Sequence, residues 1–104
     1  KLKNKKGEAQ ALNSIGVGNY YLGNYDVALR FLKQSLEIRL QIKAEKEIVS
    51  SYNNIGIIYD DMGNYQKALE YYLKTLSGYE KLKDFNGTAY TLHNIGVVYE
   101  NMSN

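Results

Sequence analysis

At 104 residues, with 44% apolar and 23% charged side chains, the chain has the composition of an ordinary folded domain. Its formal charge is only +2, with Lys1, Lys3, Lys5 and Lys6 gathered at one end, so no basic stripe of the kind that tracks a nucleic acid runs along it. Cysteine and proline are both absent, which rules out disulfides and thiol chemistry and favours long helices over loops.

Gly16, Gly56 and Gly96 stand 40 residues apart, inside Asn13-Ser14-Ile15-Gly16, Asn53-Asn54-Ile55-Gly56 and His93-Asn94-Ile95-Gly96. The same offset relates Gly23-Asn24-Tyr25 to Gly63-Asn64-Tyr65, Ala28-Leu29 to Ala68-Leu69 and Leu36 to Leu76. A fixed offset held over so many positions marks an internal repeat.

In chain order, Lys1-Leu2-Lys3 matches Lys81-Leu82-Lys83 and reads as the tail of a preceding helix, with Gly7 at a return turn. A first helix is predicted near 5–22. Gly23 then offers the left-handed conformation that ends it, and Asn24 a side-chain acceptor for the amides opening the next. That second helix is predicted near 25–43, with Asp26 placed favourably for the helix dipole. The turn at Ala44-Glu45-Lys46-Glu47 carries no glycine. The third helix is predicted near 46–62, where Tyr52, Ile55, Tyr59 and Met62 recur at intervals of three and four. Gly63-Asn64 repeats the stop and start signal, and Ala68, Leu69, Tyr72, Leu73 and Leu76 give the stripe of a fourth helix near 65–83. Asp84, Asn86 and Gly87 mark the next turn, and a fifth helix is expected near 87–102. Met102-Ser103-Asn104 matches Met62-Gly63-Asn64, so the array reads as cut at both ends, with units near 5–43, 46–83 and an incomplete 87–104.

These motifs resemble the tetratricopeptide repeat. Tyr52, Ile55, Gly56 and Tyr59, followed by Ala68 and Tyr72, follow its pattern of an aromatic, a Leu-Gly-like pair, a tyrosine, and then alanine with an aromatic. Leu92, Ile95, Gly96 and Tyr99 match in the third unit, and Leu12, Ile15, Gly16, Ala28 and Leu32 in the first. The 40-residue period is similar to the long-repeat branch that includes kinesin light chain, the Leu-Gly-Asn repeat polarity proteins and bacterial peptide-sensing regulators. Asn19 departs from the pattern where Tyr59 and Tyr99 stand, and the proline after the second helix is missing. The resemblance implies an all-α fold: a right-handed superhelical solenoid of antiparallel helix pairs, here about two and a half units in five helices.

It also implies a concave groove that holds an extended peptide or a partner helix. The groove positions are Asn13, Ser14, Val17, Tyr20 and Tyr21 in the first unit. In the second they are Ser50, Asn53, Asn54, Ile57, Asp60 and Asp61, and in the third Tyr90, His93, Asn94, Val97, Glu100 and Asn101. An amide is both donor and acceptor, so Asn54 and Asn94 suit a peptide backbone. Asp60, Asp61 and Glu100 favour a basic partner. No metal is expected, because nothing completes a ligand set around these carboxylates, and no cofactor, because no glycine-rich loop follows a strand. His93 has no nucleophile and carboxylate placed to make a triad, so no enzyme is expected. No run approaches the roughly 18 apolar residues of a membrane span, and a cytoplasmic protein without membrane or nucleic-acid partners is expected. The leading reading is a protein- or peptide-binding module. The alternatives are a structural segment that forms a homo-oligomer through its uncapped fifth helix, and the sensory part of a larger kinase or cyclase.

Overall fold

Apolar side chains at intervals of three and four set the helices, and one turn motif used at every joint folds them back on each other. The computed structural model describes residues 2–103 as α1 (Leu2–Tyr21), α2 (Tyr25–Gln41), α3 (Glu45–Asp61), α4 (Tyr65–Lys81) and α5 (Phe85–Ser103), with no strand among the described residues. Lys1 and Asn104, which entered the readings of the two cut ends, lie outside the described residues. No described helix is long and apolar enough to cross a membrane.

At each joint a single residue adopts the left-handed conformation: Gly23 (φ 82°), Lys43 (φ 56°), Gly63 (φ 79°) and Lys83 (φ 59°). Its amide donates to the carbonyl three residues back, and the next amide donates to the carbonyl five back. The pairs are Gly23 to Tyr20 with Asn24 to Asn19, and Lys43 to Leu40 with Ala44 to Arg39. Gly63 to Asp60 with Asn64 to Tyr59, and Lys83 to Glu80 with Asp84 to Tyr79, complete the set. This is the Schellman ending, which satisfies carbonyls that a bare helix end would leave open.

Three turn expectations need correction. The return turn sits at Lys83, not at Gly87, because Asp84 already caps α5 by accepting from the Gly87 amide at 2.9 Å. Gly87 lies inside the helix. No turn forms at Gly7 either, and Leu2 and Lys3 belong to α1 itself rather than to a preceding helix. A glycine costs a helix about 1 kcal/mol against alanine, which weakens it without breaking it, and among the described residues no earlier helix packs there to hold a turn. Asn24, finally, does not cap α2. Its amide donates to Asn19 Oδ1 at 3.3 Å, whereas Asn64 accepts from the Lys67 amide at 3.3 Å as expected. Asn19 stands where tyrosine stands in the other units, and its carbonyl oxygen diverts the Asn24 side chain.

Packing follows the turns: α1 lies on α2, α3 on α4, and α2–α3 and α4–α5 join the hairpins. Glycines set the closest approaches. A Cβ added at Gly16 would stand 2.8 Å from Leu32 Cγ, and one at Gly56 would stand 2.9 Å from the Tyr72 ring. Leu32 and Tyr72 thus fill holes that only a bare Cα leaves, and both are fully buried among Ala28, Ile55, Ile58, Ala68 and Val98. Another pair exchanges its sizes between units. Val49 occupies the space of a Cβ at Gly78, while Ala9 and Ile38, 40 residues earlier, are both buried.

The first inter-hairpin joint is closed by Arg39, only 4% exposed. Its guanidinium donates to Gln10 Oε1 (3.2 Å), Asn13 Oδ1 (3.4 Å), Ser51 Oγ (2.9 Å) and the Glu47 carbonyl (3.3 Å). One side chain thereby ties α1, α2 and α3. At the second joint Tyr79 takes its place, lying 2.7 Å from where a Cβ at Gly87 would be.

The lysines held at positive φ carry a strain of roughly 1–2 kcal/mol each that glycine would not. Lys43→Gly and Lys83→Gly are each expected to stabilise the fold by up to about 1 kcal/mol, the gain being reduced by the larger entropy of unfolded glycine. Gly23→Ala should destabilise it by about 1 kcal/mol. Urea denaturation followed by circular dichroism measures both signs.

Candidate functional site

The first helix of each hairpin, together with α5, turns one face toward a shared cleft of about 370 Å³. Val17, Tyr20 and Tyr21 enter it from α1, Asn54, Ile57 and Asp60 from α3, and Tyr90 and Asn94 from α5. Positions 17, 20 and 21 are spaced by three and four residues, and 54, 57 and 60 by three, so each set shares one face. Asn54 and Asn94 occupy the same place in successive units and are both half-buried.

The floor comes from core side chains, of which sequence reasoning gave Leu32 and Tyr72 only a place in the repeat pattern and did not single out Ile58. Leu32, Ile58 and Tyr72 close the bottom of the cleft. The Tyr72 ring is core, but its hydroxyl donates to Asp60 Oδ2 at 3.1 Å. Tyr20 reaches from α1 to α3 and donates to Asp61 Oδ2 at 2.5 Å. Its ring is held by Tyr21, edge-on at 5.1 Å, and by Tyr25, stacked at 5.8 Å. The 40-residue register makes Leu32 equivalent to Tyr72 and Gly16 to Gly56, but which side chain seats on which glycine is decided only in the fold.

Both carboxylates are met by phenols and not by cations. Among the described residues the ion pair formed is Lys5 with Glu8, at 3.7 Å and away from the cleft. Burial raises the Asp60 carboxyl above the usual carboxylate range, opposed in part by the Tyr72 hydroxyl and assisted by the nearby Asp61 charge. The Tyr20 phenol is pushed up to about 12, chiefly by its hydrogen bond to Asp61. Burial raises the Tyr72 phenol further, with the Asp60 charge adding to it.

Eight of the expected groove residues therefore meet in the cleft: Val17, Tyr20, Tyr21, Asn54, Ile57, Asp60, Tyr90 and Asn94. Asp61 joins them through Tyr20. Others do not line it. Asn13 is turned to Arg39 and serves the first inter-hairpin joint. Asn53 is half-buried with its Oδ1 shut from solvent and without a donor, because Tyr79 replaces at the second joint the arginine that serves Asn13. Ser14, Ser50, His93, Glu100 and Asn101 are exposed on their helices outside the cleft, and Val97 is half-buried there. On α5, Ile95 packs partly buried against the core.

Two tetratricopeptide repeat family models match the chain, one over residues 47–104 and one over residues 9–42. The shorter match spans most of the α1–α2 hairpin, and the longer one takes in nearly all of α3 together with α4 and α5. A comparison with curated proteins finds no match.

The Tyr20–Asp61 bond crosses from the first unit to the second, and Tyr20→Phe is expected to cost on the order of 1 kcal/mol. The Tyr20 pKa lies above its unfolded value near 10, so this contribution is complete below pH 10 and lost as pH rises through about 12. Spectrophotometric titration of the tyrosines should show a phenol near 12 that moves down when Asp61 is replaced by asparagine, and that is lost in Tyr20→Phe.

Proposed function

This chain belongs to the tetratricopeptide repeat family, whose repeats are generally protein–protein interaction modules, and we propose that its groove holds an extended peptide carrying a basic side chain. The supporting observation is the convergence of Asn54, Asn94 and Asp60 on one cleft. Two amides on equivalent turns of α3 and α5 repeat their donor and acceptor along the array, as the bonds of a peptide backbone repeat. Asp60 lines the same cleft as the tyrosines, partly desolvated and, among the described residues, without a cation. An incoming ammonium or guanidinium group gains there both a carboxylate and the faces of Tyr20, Tyr21 and Tyr90. The 40-residue spacing of Gly16, Gly56 and Gly96 supports the long-repeat form. On this reading the chain binds and does not catalyse.

Asn54→Ala with Asn94→Ala should weaken a bound basic peptide by on the order of 1 kcal/mol per lost hydrogen bond, with helix content unchanged. Affinity should also fall as pH is lowered through the raised Asp60 pKa, because protonation removes the charge that meets the ligand. Titration calorimetry with lysine- or arginine-bearing peptides reads both effects. Affinity that is indifferent to the double substitution would make the asparagines structural.

A second reading rests on α5. Leu92 and Tyr99 are 54% and 55% exposed, and nothing stands within 4 Å of a Cβ at Gly96, although the same hole is filled at Gly16 and Gly56. Burying a large apolar side chain contributes roughly 1.5–3 kcal/mol, enough for a second copy to cover this face and form a homo-oligomer. Light scattering should then show mass rising with concentration, and Leu92→Ser with Tyr99→Ser should return a monomer. A wild-type monomer at high concentration would remove this reading.

A further inference from the structure

A second cleft, of about 470 Å³, opens between the C-terminal ends of α2 and α4 over the first half of α3, and it shares no lining residue with the groove. Its floor is apolar, made by Leu40, Ile48, Tyr52 and Leu82. Its rim carries Lys43, Lys74 and Lys81 against a single acid, Glu45. Lys74 is not loose: its ammonium lies 5.4 Å from the Tyr52 ring centre and 5.3 Å from that of Tyr71. Lys43 is fixed at its base by the left-handed turn.

The repeat supplies an internal control, because the corresponding positions 40 residues away are filled otherwise. Leu40, 48% exposed, stands where the next unit has Glu80. Ile48 stands where the neighbouring units have Glu8 and Thr88. Ser77-Gly78 replaces Glu37-Ile38, and Ile38 is buried in its own unit. Leu40, Ile48 and Ser77 make this one cleft more apolar or less acidic, while Gly78 yields its space to Val49. Helix packing alone does not call for the first three: the first hairpin packs with Glu37 in place, and the neighbouring units with Glu80, Glu8 and Thr88. An exposed leucine in a basic surround is what a docking surface presents, since apolar contact gives affinity and the flanking charges select the partner.

We propose that this cleft is a second docking site, which takes an acidic segment of a partner protein with one large apolar side chain seated between Leu40 and Tyr52. The carboxylates on either side of that anchor face Lys43, Lys74 and Lys81. The module then carries two sites of opposite preference, the groove for a basic partner and this cleft for an acidic one. The second site does not depend on the first.

The test uses short peptides in which leucine, phenylalanine or tryptophan is flanked by glutamates, titrated into the isotope-labelled chain. Amide shifts are expected at Ile48, Tyr52, Ser77 and Gly78. Lys74→Glu with Lys81→Glu, both exposed positions, should weaken binding by about tenfold or more while circular dichroism stays unchanged. Asp60→Asn in the groove should leave it as it was. Lysine-flanked peptides with the same anchors should leave these four amides unmoved. The proposal is overturned if none of the acidic peptides binds at about 1 mM, if the shifts gather at Asn54 and Asn94 instead, or if charge reversal does not change the affinity.

Discussion

Two helices can cross closely only where one of them has no side chain in the way, and Gly16 and Gly56 provide that place in the two hairpins. Leu32 and Tyr72 seat directly on the bare backbone, within distances that a Cβ would forbid. Interiors are packed too tightly for such a contact to be approximate, so each hairpin has one register. That register carries the Tyr72 hydroxyl through the core to the Asp60 carboxylate. The chemistry of the groove is thus set from below, by a residue whose ring is core.

The joints between hairpins are held differently from the hairpins themselves. At the first, a buried guanidinium on α2 collects four neutral acceptors from α1 and α3. At the second, a tyrosine lies over Gly87 and the asparagine carbonyl it no longer serves is buried without a donor. Burying a charge is costly unless it is well bonded, and leaving an acceptor unpaired costs as well. The two solutions exchange one cost for the other. They show how equal backbones tolerate unequal side chains, provided that each joint is satisfied as a set.

The same tolerance gives the surface its variety. Equivalent places hold Tyr20-Tyr21, Asp60-Asp61 and Glu100-Asn101, so a phenol of one unit meets a carboxylate of the next across the groove. On the other cleft, Leu40 stands where the next unit has Glu80, and Ile48 where its neighbours have Glu8 and Thr88, which makes the floor of one junction more apolar. A repeat scaffold fixes positions and leaves chemistry free, which is why binding preference resides in the departures from the repeat rather than in the repeat.

The sequence by itself determined the helix count, the 40-residue register, the joints at Gly23 and Gly63, and the equivalent places of Asn54 and Asn94 on α3 and α5. All of these follow from local periodicity and backbone freedom, which neighbouring residues carry in full. It misplaced the turn at Gly87 because glycine has two uses: a left-handed turn and a close approach look alike in one dimension. Only the folded chain shows that Lys83 takes the turn and Gly87 the ring of Tyr79. Likewise, Asn13, Asn53 and Asn54 are the same residue type on one helical face or its edge. Tertiary structure alone decided that the first bonds Arg39, the second has its oxygen buried, and the third lines the groove. The deciding partners come from helices some 26 residues away, and no local pattern records which way a side chain turns to meet them.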